Sequence, residues 1–216
     1  SPQVKIEQIL IGKEQDIKIE SAVIPVYSLA IFDEQKSFDE IRLNKVSIGQ
    51  DAVPRLVMWA QPQAGSTNLQ INRLQLSDVK LGLRDVELPG FDATFSFGKS
   101  GGLQKAQLRD LNVTVDMAPD KDAGLRISFT ARNWRPPIGP AVEFSELSGA
   151  AMVTNQQVTL SDVKGKLHGG ELKGGATIKW DGGLNAEGEF SLKGANYEAL
   201  LAEFTRQFTA TGVLEM

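Results

Sequence analysis

Alternation with a period of two runs through most of this 216-residue chain and constrains its fold more than any other feature. Phe91, Ala93, Phe95 and Phe97 alternate with Asp92, Thr94 and Ser96, and Leu125, Ile127 and Phe129 with Arg126, Ser128 and Thr130. Leu172, Ala176, Ile178 and Trp180 share one parity against Lys173, Thr177 and Lys179. Leu184, Ala186, Phe190 and Leu192 do the same against Asn185, Glu187, Glu189, Ser191 and Lys193. Successive side chains of a strand point to opposite faces, so each run is apolar on one side and polar on the other. Antiparallel sheets with one wet face read this way, whereas buried parallel strands read as continuous apolar runs. The expected fold is mainly β: a long curved antiparallel β-sheet, forming an open groove or a flattened sandwich, with two short helices.

Turn residues separate the runs. His168-Gly169-Gly170, Asp181-Gly182-Gly183 and Lys99-Ser100-Gly101-Gly102 predict tight hairpins, and the segments 119–122 and 136–140 predict longer loops. Gly165, Gly169, Gly170, Gly174, Gly175 and Gly188 favour bends and curvature, with Gly174 and Gly188 on the apolar parity. Tyr197, Leu200, Leu201, Phe204 and Phe208 have helical spacing, and Asn196 can cap a helix over 196–208. A second helix is expected near 51–60, with Val53, Leu56, Val57 and Ala60 on one side and Pro54 tolerated in the first turn. These elements suggest an N-terminal β segment over 1–65 and a longer sheet region over 66–216.

One pentapeptide occurs twice, as Leu76-Ser77-Asp78-Val79-Lys80 and Leu160-Ser161-Asp162-Val163-Lys164. In both copies alternation is interrupted by a two-residue polar step and then resumes. Leu74, Leu76, Val79 and Leu81 show this pattern, as do Val158, Leu160 and Val163; Leu108, Leu111, Val113 and Val115 look similar. A slipped phase of this kind predicts a β-bulge or sharp bend.

Composition narrows the function classes. Net charge is −4 with both signs mixed along the chain, so the basic stripe of a nucleic-acid binder is missing. With no cysteine there is no disulfide, thiolate nucleophile or cysteine metal site. No run approaches the ~20 apolar residues that a membrane-spanning helix needs. The chain opens Ser1-Pro2 with no signal segment, and a preceding signal or membrane anchor is expected to have been cut away.

No catalytic constellation is expected, and no metal or cofactor. His168 is the only histidine; a triad would pair it with Ser161 or Ser191 and with Asp162, but no nucleophile motif accompanies it and a hairpin turn is the simpler reading. Gly98-Lys99-Ser100 resembles the end of a phosphate-binding loop, but Ala93 stands where that loop needs glycine. Asp116, Asp120 and Asp122 lack the glutamate that completes a calcium loop. Trp59 and Trp134 lie beside loops, as core edges or interface anchors.

The stretch from Val158 to Trp180, VTLSDVKGKLHGGELKGGATIKW, resembles the C-terminal region of AsmA-like proteins. The resemblance continues beyond Trp180 through an alternating strand, Gly194-Ala195-Asn196, an amphipathic helix, and Thr211-Gly212-Val213-Leu214. The likeness covers about residues 145–216 and is looser over 40–145. It implies a periplasmic module on the inner membrane of a Gram-negative bacterium, held there by an anchor, with a curved β-groove that binds or conducts phospholipid and supports outer-membrane assembly. The apolar parity then supplies a lipid-facing groove of Phe95, Phe97, Ile127, Phe129, Ile178, Trp180, Phe190 and Leu192. The alternative is a ligand-free scaffold that meets partners, or itself, through open sheet edges such as 211–216.

Overall fold

The computed structural model describes residues 2–12, 14–25, 36–52, 69–83, 86–120, 124–136, 142–154, 156–179, 185–196 and 198–202. The chain is mainly β and divides into two compact units, Ser1–Leu125 and Arg126–Met216.

The first unit contains β1 (Gln3–Ile11), β2 (Ile17–Pro25), β3 (Lys36–Phe38), β4 (Ile41–Ile48), β5 (Leu69–Ile71), β6 (Arg73–Leu83), β7 (Val86–Glu87), β8 (Phe91–Phe97), β9 (Leu103–Arg109) and β10 (Val113–Pro119). Its main sheet has the order β1-β2-β4-β6-β8-β9-β10, with β7 beside β6 and β3 paired with β5. Neighbours are antiparallel except at β4/β6 and β3/β5, which are parallel. Those parallel pairs are exceptions in a sheet that is otherwise antiparallel, as expected. The connection over 49–68 makes the β4/β6 pair geometrically feasible, because a parallel crossover needs a dozen or more residues.

Unit one is organised by cross-strand rows. Ile9, Ile19, Val46, Val79 and Phe91 succeed one another across five strands, beside the row Ile11-Ile17-Ile48-Leu81. These rows form the core, in which Ile17, Ile19, Val46, Ile48, Ala52 and Val79 are buried. Two further apolar rows lie beyond the polar step. One runs Ile6-Ala22-Leu43-Leu76-Ala93-Leu108-Val115, and the other Ile41-Leu74-Phe95-Ala106-Met117.

The polar step is where the sheet bends. Between Leu76 and Val79 the β6 register against β8 shifts, and Asp78 takes φ 50°. Gln8 and Lys45 also have left-handed backbones, and in register Gln8, Glu20, Lys45 and Asp78 fall on one line across β1, β2, β4 and β6. Beside that line, Asn44 donates to the Ser21 hydroxyl at 3.1 Å and accepts from Ser77 at 2.8 Å. These bonds satisfy the side chain of buried Ser21.

The second unit contains β11 (Leu125–Trp134), β12 (Phe144–Val153), β13 (Gln157–Leu167), β14 (Gly170–Lys179) and β15 (Asn185–Lys193), paired in chain order. The second pentapeptide behaves as predicted: Asp162 has φ 51° and β13 slips against β14 between Leu160 and Val163. Here the extra residue is confined to β13. The third look-alike is not a bulge. Asp110 to Val113 is a hairpin turn, with the Asp110 carboxylate accepting from the backbone N–H groups of Asn112 and Val113 at 2.6 Å, and Leu111 projects fully into solvent.

His168 and Gly169 form a two-residue hairpin loop with φ 47° and 77°, the double left-handed geometry that such loops require. The helix expected over 196–208 is described at 198–202, and Asn196 caps it: its side-chain oxygen accepts from the Ala199 N–H at 3.2 Å. Of the segment near 51–60, Gln50–Ala52 is a single 3-10 turn, and 53–60 lies outside the described residues.

Candidate functional site

The candidate site is the apolar face within each unit. In the first, Phe95 sits half-buried in the row with Leu74 and Ala106, and Phe97 pairs with Leu103 beyond a register shift. Burial along this face depends on side-chain size. Ala22, Ala93 and Ala106 are buried, while the larger Leu43, Leu76, Leu108, Val115 and Met117 around them are half-buried. Ile6 and Val4 at the β1 end are 45% and 48% exposed.

In the second unit three rows carry the expected residues. Ile178 lies in Val153-Val158-Ile178-Ala186 and Leu192 in Leu147-Gly165-Leu172-Leu192. Phe190 lies in Val163-Gly174-Phe190. Phe129 meets the same row from its other end, because its ring occupies the space that a Cβ on Gly149 would need, beside Val163. Phe190 likewise lies over Gly174. The missing side chains at Gly149 and Gly174 are therefore replaced by neighbouring aromatic rings, as when an aromatic covers a strand glycine. Gly188 is no opening either, since a Cβ there would meet Ala176. Ile127 shares the parity of Phe129 on β11 and is half-buried. Trp180 lies outside the described residues.

Coverage of this face is uneven. Toward the His168 hairpin, Val163, Gly165, Leu167 and Gly170 are buried, and Ala195 packs so closely on Gly170 that a Cβ there would meet its backbone. Toward the other end, Val158, Leu160 and Ile178 are half-buried, and Phe190 on β15, the outermost described strand, is 48% exposed.

The reverse faces are charged. In unit two Glu146, Lys166, Glu171 and Lys193 form a cross-strand row of alternating sign, with Lys166 Nζ 2.9 Å from Glu146. The hydrogen bond to Lys166 holds the Glu146 carboxyl below its usual pKa, and the same bond raises Lys166. In unit one Lys105 lies 3.1 Å from Asp116 and, with a bond from Gln107, lowers the pKa of that carboxyl. Opposite charges facing across strands favour the observed register and keep this surface wet.

The residues weighed for chemistry are scattered. His168 is in its turn, Asp162 holds the bulge, and Asp116 is paired with Lys105 and Gln107. Asp122, Trp59 and the 211–216 edge lie outside the described residues. Among the described residues no three metal-binding side chains cluster, and no helix is long and apolar enough to cross a membrane. Sequence reading missed β1, β4 and β6 as contributors to the apolar face. Their signal is the same alternation, broken at Gln8, Lys45 and Asp78 by the polar step. No protein-family model, curated protein or solved structure matches this chain.

Proposed function

We propose that this chain is a non-enzymatic, lipid-handling module of a bacterial envelope protein of the AsmA-like type, working on the periplasmic side of the inner membrane in support of outer-membrane assembly. Its apolar faces take the acyl chains of phospholipid, while the charged reverse faces stay in water, and an anchor elsewhere in the protein supplies the membrane attachment. One observation carries this reading. Apolar rows run unbroken across the strands of the first unit, and their large side chains are only half-buried among the described residues. A face of that kind needs a cover, and an acyl chain is one that demands no hydrogen bonds.

The test is lipid extraction from the purified chain with mass spectrometry, paired with melting of Ile178→Asp and Phe190→Asp. Bound phospholipid that is lost in folded variants supports the reading. Unfolding of both variants, with no lipid on the parent, would end it.

A second reading is a ligand-free scaffold that adds a partner strand at a sheet edge. It is favoured by β1, an edge strand whose Val4, Ile6 and Leu10 are all exposed. Lipid-free protein whose association stops on Ile6→Lys would select it.

A further inference from the structure

On the polar side of the first unit, one row sets a lysine on either side of a hydroxyl. Leu10, Lys18, Ser47 and Lys80 are in register across β1, β2, β4 and β6. The two lysines therefore flank Ser47 on the same face, with their Cα atoms about 10 Å apart at the usual strand spacing. Several cations of this sheet are paired, as Lys45 with Glu20 and Lys105 with Asp116. Lys18 and Lys80 form no ion pair with a described residue, and both are exposed.

The row borders a cavity of about 740 Å³ at the end of the sheet. Lys18, Ser47 and Lys80 line it, together with Gln15 and Asp16 from the β1/β2 turn and the glycines Gly49, Gly82 and Gly90. Ile48, Leu81 and Leu88 also border it, the first two from strand positions whose side chains belong to the core face. Among the described lining residues there are two ammonium groups and one carboxylate, a balance of +1, and Asp16 Oδ1 is buried. The Asp78 carboxylate stands beside Gly90, outside the lining, where its charge acts on Lys45.

We infer that Lys18, Ser47 and Lys80 form a binding site for a phosphate-ester anion. Two ammonium groups and a hydroxyl between them supply convergent donors for phosphate oxygens, and charge-assisted bonds of this type are the strong ones. Leu10, half-exposed at the head of the same row, suits an ester that carries a hydrocarbon chain. As the source of that anion the inference takes a phospholipid headgroup, and in this it rests on the lipid-handling reading. A free phosphate ester offers the same chemistry, and the experiment separates the two.

The whole chain is titrated, with amide NMR detection, against glycerol 3-phosphate, dihexanoyl phosphatidylglycerol and dihexanoyl phosphatidylcholine, the lipids kept below micelle formation. Dihexanoyl phosphatidylglycerol is expected to shift the Ser47, Gly49 and Gly82 amides and to bind at least roughly fourfold tighter than glycerol 3-phosphate, the equivalent of one buried methylene. The zwitterionic lipid is expected to bind more weakly than the anionic one. The double variant Lys18→Gln/Lys80→Gln changes only exposed side chains and is expected to weaken anion binding about tenfold or more; raising the salt should weaken it in the parent.

Amides unmoved by every probe, or undiminished binding by the double variant, would overturn the site. Equal affinity for glycerol 3-phosphate and the anionic lipid would keep the anion site and overturn the headgroup as its source. Lipid extracted from the parent while these amides stay unmoved sinks this inference alone. Lysine-dependent glycerol 3-phosphate binding on a lipid-free chain sinks the lipid-handling reading and leaves the anion site standing.

Discussion

The same five residues bend the chain in both units, but their surroundings differ. In the first unit the extra residue at Asp78 is matched by left-handed residues on two other strands, so the step spreads over β1, β2, β4 and β6. The bend is held by polar groups: the Asp78 N–H donates to Asp92 at 3.0 Å, and Ser21, Asn44 and Ser77 bond in series. In the second unit β13 bulges without a matching extra residue on β12 or β14, between Gly149 on one neighbour and Gly174-Gly175 on the other. A Cβ at Gly175 would press on the Leu160 carbonyl at 2.8 Å, and one at Gly149 on the Phe129 ring at 2.7 Å. A bulge can thus be absorbed by letting neighbouring strands bulge too, or by removing side chains beside it. The first route brings Ile17, Ile19, Val46, Ile48 and Val79 together as a buried core. The second leaves glycines on the face beside the bulge, with the rings of Phe129 and Phe190 over them.

That contrast can be tested by substitution, beginning with the largest effect. Val79 is 1% exposed, so Val79→Asp buries an unpaired carboxylate and is expected to cost about 4 kcal/mol or more, enough to unfold the first unit. Phe190→Asp, at a position 48% exposed, is expected to cost no more than about 1 kcal/mol. Urea titrations compare the two, and equal losses would remove the distinction between core and open face.

The glycines come next. Gly174→Ala would drive a methyl group into the Glu189 carbonyl and the Phe190 backbone, with an expected cost of about 2–3 kcal/mol. Gly101→Ala meets no atom within 4 Å and loses only the freedom of a φ of 77°, for about 1 kcal/mol. Chemical denaturation of both variants checks the order, and a harmless Gly174→Ala would mean that the second sheet yields where its packing says it cannot.

Smaller effects are expected at the bulges. Asp78→Val and Asp162→Val place a β-branched residue at φ near 50° and are each expected to cost about 1–2 kcal/mol, while the asparagine variants, which tolerate this backbone, stay within about 0.5 kcal/mol. Asp92→Ala leaves the Asp78 N–H without its acceptor and should cost about 1 kcal/mol, an effect with no counterpart in the second unit.

The smallest effect is electrostatic. The pKa of Asp116 is lowered on folding, chiefly by Lys105, so its contribution is present above the unfolded pKa and disappears as pH falls through the folded one. Carboxyl NMR titration should place its midpoint below that of free aspartate, and Lys105→Gln should return it toward the ordinary value. Glu146 behaves the same way through Lys166, and both shifts should shrink in high salt.

Much of this architecture is legible in the sequence. Period-two alternation located β8, β11, β14 and β15, since burial of one sheet face imposes that period whatever the partner strand. The polar step at Asp78 and Asp162 announced both bulges, and Asn196 announced its cap, because these are local backbone events with local side-chain signatures. Leu108 to Val115 misled for the same reason: a hairpin turn and a bulge both interrupt alternation, and only the pairing of β9 with β10 tells them apart.

What lies between strands was decided by the tertiary structure. Alternation states which side chains share a face, but it carries no information about which strand lies alongside, so the parallel β4/β6 pair could not be read from it. Strand order and register then set everything that depends on neighbours. They align Gln8, Glu20, Lys45 and Asp78 in one bend, and they lay Phe129 and Phe190 over glycines from other strands. They also bring Lys18 and Lys80, 62 positions apart in the chain, to either side of Ser47. The chain's own chemistry determined a one-sided β protein with bends at its polar steps. Hydrogen-bond pairing between distant segments decided which residues meet, because a contact energy exists only once both partners have been brought together.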